Sequence, residues 1–134
     1  METLDSASLR PIVLVDDEPD LLEATRRRIE VALPQVEVHA FTDGRSALEA
    51  LTGVSLGLAI LDVDMPEISG LQLAERLRDR WADLPVLFLT GTAKANVVPE
   101  FERVGAVAWL RKPVSGQVLV ETILEHALRR ACEK

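Results

Sequence analysis

The chain has 134 residues, a hydrophobic fraction of 48%, a charged fraction of 28% and a formal net charge of −7. This length suits one domain with a sizeable core but not two, and the acidic balance disfavours direct binding to nucleic acid or to anionic membranes. A single cysteine, Cys132, excludes an internal disulfide and cysteine-based zinc sites. No apolar run approaches the roughly 20 residues of a membrane span, and residues 1–10 do not resemble a signal peptide, so we expect a cytoplasmic protein.

Hydrophobic patterns divide the chain into alternating strands and helices. Short apolar runs predict five strands, at residues 11–15, 36–40, 58–61, 84–89 and 106–110. Helical spacing of apolar residues predicts four clear helices, at about 20–33, 46–51, 69–81 and 115–131. A weaker helix precedes the fifth strand. Because Pro99 cannot lie deep inside it, this helix is expected to begin near Val98, after a mobile stretch from Thr92 to Val97.

Strands that alternate with helices across short connections are typical of α/β folds. The connections then cross over right-handedly and place helices on both faces of a parallel sheet. We therefore expect one doubly wound α/β domain at residues 11–131. Residues 1–10 are expected to form a loose leader, and residues 132–134 a tail.

Polar side chains stand at the ends of four of the five predicted strands. Asp16 and Asp17 follow the first strand, Asp62 the third, Thr90 the fourth and Lys112 the fifth. In an open parallel sheet these carboxyl ends share one edge, which is where ligands bind. We therefore expect the five residues to form one site.

The residue types at this edge indicate phosphoryl transfer. Clustered carboxylates need a cation, and Mg²⁺ prefers oxygen ligands and keeps waters that phosphate oxygens can replace. Lys112 supplies a compact positive charge for an anion, and Thr90 a hydroxyl donor. Gly91 leaves room for a bulky group on Asp62. Together these are the parts of a site in which an aspartate is the nucleophile.

At this point the chain resembles the receiver domains of two-component response regulators, over about residues 12–131. The resemblance is carried by motifs in the family's order and spacing: Asp16-Asp17, Leu61-Asp62-Val63-Asp64-Met65-Pro66, Gly70, Thr90, Gly105-Ala106, Trp109 and Lys112-Pro113. It implies a flavodoxin-like five-stranded sheet of order 2-1-3-4-5. It also implies a signalling switch that phosphorylates and dephosphorylates itself at Asp62 rather than an enzyme that turns over small substrates.

The resemblance implies a role for each site residue. Asp62 would accept a phosphoryl group from a phosphohistidine on a histidine kinase or histidine phosphotransfer protein. Asp17, Asp62 and the backbone carbonyl of Asp64 would bind Mg²⁺, or Mn²⁺ in its place, with Asp16 acting directly or through water. Lys112 would contact the phosphoryl group, and the Lys112-Pro113 peptide bond would be cis. Thr90 and Trp109 would form the switch.

Two residues differ from the family's commonest pattern. Trp109 stands where Tyr or Phe is more usual, and its larger indole would need a larger pocket when it moves inward. Asp64 adds a carboxylate next to the site, which is expected to change Mg²⁺ affinity or the lifetime of the phosphoryl group.

Other interpretations remain open at this stage. Asp16-Asp17 alone would be a helix cap, and Arg26-Arg27-Arg28 a solvated helix face or a docking surface. The segment from Ile60 to Asp64 also resembles the nucleophile motif of haloacid-dehalogenase-type phosphatases, although Pro66 and the short chain do not suit that family. An interaction module that does not use phosphorylation is a third alternative.

The means of output is also open. Such a domain acts either alone, through contact with a downstream protein, or as part of a longer regulator with a fused output domain. The surface of the fourth helix, fifth strand and fifth helix would support a homodimer, as in relatives. Direct contact with nucleic acid or with a membrane is not expected.

Overall fold

A computed structural model describes residues 8–91 and 98–129 of the chain. Five strands alternate with five helices. The strands are β1 (Ile12–Val15), β2 (Val38–Phe41), β3 (Leu58–Asp62), β4 (Val86–Thr90) and β5 (Ala106–Arg111). The helices are α1 (Pro19–Ala32), α2 (Gly44–Ala50), α3 (Gly70–Arg80), α4 (Val98–Arg103) and α5 (Gly116–His126).

The strands form one parallel sheet in the order β2-β1-β3-β4-β5, as the resemblance implied. β1, β3 and β4 are buried along their whole length, because helices cover both of their faces. One core cluster joins these strands to α2, α3 and α4. The second joins them to α1 and α5. The doubly wound α/β architecture predicted from the sequence is therefore confirmed.

Local sequence signals explain where several helices begin. Pro19 occupies the first turn of α1, where its missing N–H costs nothing. Asp43 caps α2 by accepting a hydrogen bond from the Ser46 amide at 2.8 Å, so this helix begins two residues earlier than predicted. Ser69 and Gln72 form a capping box at the start of α3, as predicted for Ser69. α4 begins at Val98 as expected, whereas the predicted mobile stretch from Thr92 to Val97 lies outside the described residues.

The prediction that the last helix continues to Ala131 is wrong, since α5 ends at His126. Ala127 adopts an extended conformation, and the Leu128 amide then donates to the Gly57 carbonyl at 2.9 Å. The Leu128 carbonyl accepts from Arg10 at 3.0 Å. Backbone hydrogen bonds to other segments replace the next helical turn, and apolar periodicity along one segment cannot reveal them.

The prediction of a loose leader through residue 10 is wrong at its end. Leu9 is only 1% exposed and belongs to the core cluster that contains α1 and α5. It also forms an antiparallel bridge with Arg129, whose side chain bonds the Ser8 hydroxyl. The predicted β2 is likewise shifted, to Val38–Phe41, because β1 pairs with it in the register Ile12 to Val38.

Candidate functional site

Three carboxylates meet at the carboxyl edge of the sheet. Because Val15 of β1 pairs with Leu61 of β3, the residues that follow these two strands lie side by side. Asp16, Asp17 and Asp62 each place one carboxylate oxygen within 4.8 Å of the others. Asp16 and Asp62 are buried and Asp17 is half-buried, so the cluster opens to solvent on the Asp17 side. The structure brings together the three side chains that the sequence predicted as metal ligands.

Asp16 has a second role that orders the start of α1. Its Oδ1 accepts a hydrogen bond from the Glu18 amide at 3.0 Å. Glu18 is the N-cap of α1 and forms no side-chain cap bond among the described residues. The carboxylate of Asp16 therefore shapes the turn from β1 into α1 while it faces the acidic cluster, but the N-cap of α1 is Glu18 and not Asp16 or Asp17.

Lys112 brings the positive charge into this cluster from the end of β5. Its Nζ lies 3.1 Å from Asp16 Oδ2 and 3.3 Å from Asp62 Oδ1. Burial lowers the pKa of Lys112, but the hydrogen bond to Asp16 and the charges of Asp62 and Asp16 outweigh it and raise the pKa above its ordinary value. Lys112 therefore stays charged. The Lys112-Pro113 bond is cis, as the resemblance implied.

The surroundings of Asp62 disfavour the charged form of its carboxyl group. Burial raises its pKa most, and the charge of Asp16 and a hydrogen bond with Asp17 raise it further, while Lys112 acts in the opposite direction. The pKa of Asp62 reaches about 6, compared with an ordinary value of 3.8. One ammonium does not balance three carboxylates, so a divalent cation would relieve the remaining negative charge.

Thr90 and Gly91 lie on the β4 side of Asp62. Thr90 is buried at the end of β4, and its carbonyl accepts a hydrogen bond from the Lys112 amide at 2.8 Å. A side chain at Gly91 would meet no heavy atom of the described residues within 4 Å, leaving aside its chain neighbours. The end of β4 beside Gly91 is therefore uncrowded within the part of the chain that the structure describes.

Asp64 lies in the loop between β3 and α3, and its side chain is exposed. It is not one of the three clustered carboxylates. The loop returns to the strand through a hydrogen bond of 3.0 Å from the Gly70 amide to the Val63 carbonyl. Only glycine allows this approach, because a Cβ at residue 70 would lie 2.2 Å from the Asp62 carbonyl oxygen. The metal-ligand role of the Asp64 carbonyl stays a prediction.

Trp109 faces outward on β5 and is 36% exposed. Its ring centroid lies 5.3 Å from that of Phe101 in α4, and Phe101 lies 4.8 Å from Phe88 in β4. Phe101 was not among the residues predicted from the sequence, yet it is buried and forms an aromatic contact between α4 and the sheet. Its apolar character beside Val104 was the available signal, but a six-residue helix offers too little periodicity to use it.

Comparison with known families identifies the fold's relatives. The sequence model of the response regulator receiver domain matches residues 12–124. The chain belongs to this family. The receiver domain shares 30% identity with the transcriptional regulatory protein FixJ of Bradyrhizobium diazoefficiens, over 90% of this chain and 57% of that protein. It shares 33% identity with the response regulator protein FleR of Pseudomonas aeruginosa, over 87% of this chain and 24% of that protein.

Solved structures agree with this assignment. The receiver domain superposes on the chemotaxis protein CheY4 of Vibrio cholerae with a TM-score of 0.82 and 26% identity, over 89% of this chain and 99% of that one. A CheY-like receiver domain from Methanospirillum hungatei gives a TM-score of 0.80 and 27% identity, over 88% and 93% of the two chains. Two-component signalling is therefore the function of this domain, and nothing in the comparisons favours the phosphatase alternative.

The receiver domain spans about a quarter to just over half of the curated relatives FixJ and FleR. Those relatives are response regulators, a class that histidine kinases phosphorylate and that carries output domains. Receiver domains in general are signalling domains and bind Mg²⁺ at an acidic pocket. Within the described residues, no helix is both long and apolar enough to cross a membrane.

Proposed function

We propose that Asp62 is the phosphoacceptor of this receiver domain, with Lys112 and Thr90 as the other residues that contact the transferred group. The observation that carries this proposal is the arrangement around Asp62. Two further carboxylates lie with it inside 4.8 Å, and an ammonium lies 3.3 Å from its Oδ1. An anionic nucleophile, a cation site and a fixed positive charge are what phosphoryl transfer requires.

The acidic cluster fits Mg²⁺, or Mn²⁺ in its place. Its donors are all carboxylate oxygens, and burial has raised the pKa of Asp62 to about 6, so bringing a cation to this site relieves an existing electrostatic cost. Asp17 and Asp62 would hold the ion together with the backbone carbonyl of Asp64, and Asp16 would act directly or through water. When bound, the ion supplies charge neutralisation for the phosphoryl oxygens.

The proposed reaction transfers a phosphoryl group from a phosphohistidine to a carboxylate oxygen of Asp62. A new O–P bond forms as the P–N bond breaks, and the imidazole nitrogen leaves with the electron pair of that bond and is then protonated. Dephosphorylation is a separate hydrolysis: a water oxygen forms a bond to phosphorus as the bond from phosphorus to the Asp62 oxygen breaks, which releases inorganic phosphate and returns Asp62 to a carboxylate. The domain would thus catalyse its own phosphorylation and dephosphorylation without turning over small substrates.

Phosphorylation of Asp62 would be passed on as a signal by movements of Thr90 and Trp109. Lys112 would hold a phosphoryl oxygen by its charge, and the Thr90 hydroxyl would donate to another. Movement of Thr90 toward the group would open space for Trp109, which is now exposed against Phe101. The surface of α4, β5 and α5 would then change its contacts with a downstream protein, a fused output domain or a second copy of the chain.

The partner that supplies the phosphoryl group would be a histidine kinase or a histidine phosphotransfer protein. The domain would act in the cytoplasm by protein contact, and its net charge of −7 disfavours direct binding to nucleic acid or to an anionic membrane.

The test is covalent modification. The protein is incubated with Mg²⁺ and acetyl phosphate, and intact mass is followed over time. We expect a gain of one phosphoryl group that is absent in Asp62→Asn and kept in Asp20→Asn, a matched change at an exposed carboxylate in the first turn of α1. No mass gain with any small phosphodonor would contradict the proposal, and steady release of phosphate from stable phosphate esters would favour the phosphatase instead.

A further inference from the structure

The three consecutive arginines of α1 have different partners. Arg26 is paired within its own helix, at 2.6 Å from Glu23 and 3.3 Å from Glu30. Arg27 is 76% exposed and lies 3.5 Å from Glu23. Arg28 instead crosses to another element, where its Nη1 donates to the Val114 carbonyl at 2.9 Å. The run is therefore not a uniform solvated face.

Val114 belongs to the loop that joins β5 to α5, two residues after Lys112. The Arg28 side chain reaches this loop over the start of α5, because its Cδ lies 3.7 Å from the position that a Cβ of Gly116 would take. A guanidinium donates in a fixed planar geometry, so it can hold a carbonyl in one place better than a flexible ammonium can.

Val114 packs on the core cluster that contains α1 and α5, but the loop does not fill the space beside α1. A cavity of about 280 Å³ separates the two, with Leu21, Ala24 and Thr25 on the helix side. Pro113 and Val114 line it on the loop side, and Asp16 and Lys112 lie at its polar end. A gap of this size removes contacts that would fix the loop, so the bond from Arg28 across it matters more than an exposed hydrogen bond usually does.

The backbone around Lys112 is thus held at two points. On one side, the Lys112 amide donates to the Thr90 carbonyl at 2.8 Å. On the other, the Val114 carbonyl accepts from Arg28 at 2.9 Å. The Nζ between them is placed 3.1 Å from Asp16 and 3.3 Å from Asp62.

We propose that Arg28 is a positioning residue for Lys112: it fixes the loop after β5 so that the ammonium stays on the Asp62 carboxylate. This inference rests on the proposed role of Asp62 as phosphoacceptor. Arg28 does not contact the reacting atoms itself. Its effect on phosphoryl transfer passes through the Val114 carbonyl and the loop to the Lys112 side chain.

The experiment compares phosphorylation rates by acetyl phosphate and Mg²⁺ in four proteins: the wild type, Arg28→Met, Arg28→Lys and Arg27→Met. Arg28→Met keeps the aliphatic length but removes the donor, and we expect its rate to fall about tenfold, as small misplacements of a catalytic group do. Arg28→Lys keeps the charge but replaces the planar guanidinium with a flexible ammonium, so it is expected to recover only part of the rate. Arg27→Met removes the same charge one residue away and is expected to match the wild type.

The small donor separates positioning from docking, because acetyl phosphate needs no protein surface on α1. A wild-type rate in Arg28→Met would overturn the proposal, and so would an equal loss in Arg27→Met, which would assign the effect to charge alone. Urea unfolding of Arg28→Met is expected to match the wild type. A loss of rate that follows a loss of folded protein would also overturn it.

Hydrogen exchange of the Lys112 amide tests the loop without any phosphoryl transfer. We expect exchange to be faster in Arg28→Met than in the wild type and Arg27→Met, and unchanged exchange would overturn the inference. If the wild type were never phosphorylated, the proposed function would fail on its own, while this measurement would still report whether Arg28 holds the loop.

Discussion

The start of α3 touches the backbone of the candidate phosphoacceptor: a Cβ added to Gly70 would lie 2.2 Å from the carbonyl oxygen of Asp62. The same Cβ would lie 2.9 Å from the Cα of Val63, and both neighbours are backbone atoms that cannot rotate away. Gly70 also donates its amide to the Val63 carbonyl at 3.0 Å. The loop that carries Asp64 is therefore closed by a contact that only glycine permits.

Replacing Gly70 with alanine is expected to destabilise the protein by about 2–3 kcal/mol, because the helix and the strand end must move apart. The shift would also move the Asp62 backbone, so weaker Mg²⁺ binding should accompany it. Urea unfolding and a Mg²⁺ titration of the same samples measure both. Gly91→Ala is the matched control, since its Cβ would meet no heavy atom of the described residues within 4 Å, and we expect that variant to stay within about 0.5 kcal/mol of the wild type. Equal stabilities for the two variants would contradict the close contact.

Removing one carboxylate from the acidic cluster is expected to weaken cation binding. Asp17→Asn should lower Mg²⁺ affinity by about tenfold or more, because a charged oxygen ligand becomes neutral. Asp20→Asn is the control: it removes the same charge from the exposed first turn of α1, outside the cluster. Isothermal titration or the rise in melting temperature with Mg²⁺ measures the difference. Similar affinities in the two variants would mean that the ion binds elsewhere.

The raised pKa of Asp62 predicts a specific pH dependence of stability in metal-free protein. The folded pKa is about 6 and the ordinary value 3.8, so between these values the unfolded chain has lost a proton that the folded protein keeps. Stability therefore falls as pH rises through this window. From pH 5 to pH 8 the loss from this group is roughly 1.4 kcal/mol.

Asp62→Asn removes the titrating carboxyl group, so its unfolding free energy should fall by about 1.4 kcal/mol less than that of the wild type over the same range, in buffer with a chelator. Saturating Mg²⁺ is expected to reverse the order at pH 8, since the ion stabilises the carboxylate form and only the wild type has the full ligand set. Parallel pH profiles for the two proteins in chelator would show that Asp62 titrates normally.

Much of the candidate site could be predicted from sequence, because its residues follow strands directly. Once Asp16, Asp62 and Lys112 are placed at strand ends, a parallel sheet brings them to one edge whatever the details of packing. The ion pair of Lys112 with Asp16 could not be predicted in the same way, since it depends on the path of the loop after β5. That path in turn depends on Arg28, which lies 86 positions away in sequence from its partner Val114.

Features that depend on contacts between distant segments were the ones missed. The end of α5 at His126 follows from backbone hydrogen bonds to Gly57 and Arg10, and neither residue carries a helix-stop signal for that segment. Gly57 is needed there because a Cβ would lie 2.7 Å from Arg10 and 2.9 Å from the Leu128 carbonyl. Periodicity describes one segment at a time and cannot see this three-way junction.

The same junction predicts that Leu9 stabilises the domain although it precedes the first strand. Its side chain is 1% exposed, so Leu9→Ala is expected to cost about 2–3 kcal/mol through lost burial and the cavity that remains. Leu21→Ala is the matched control, since Leu21 is 44% exposed and its truncation should cost less than about 1 kcal/mol. Urea unfolding of both variants measures the difference. If Leu9→Ala were as stable as Leu21→Ala, the segment before β1 would be loose, as the sequence alone suggested.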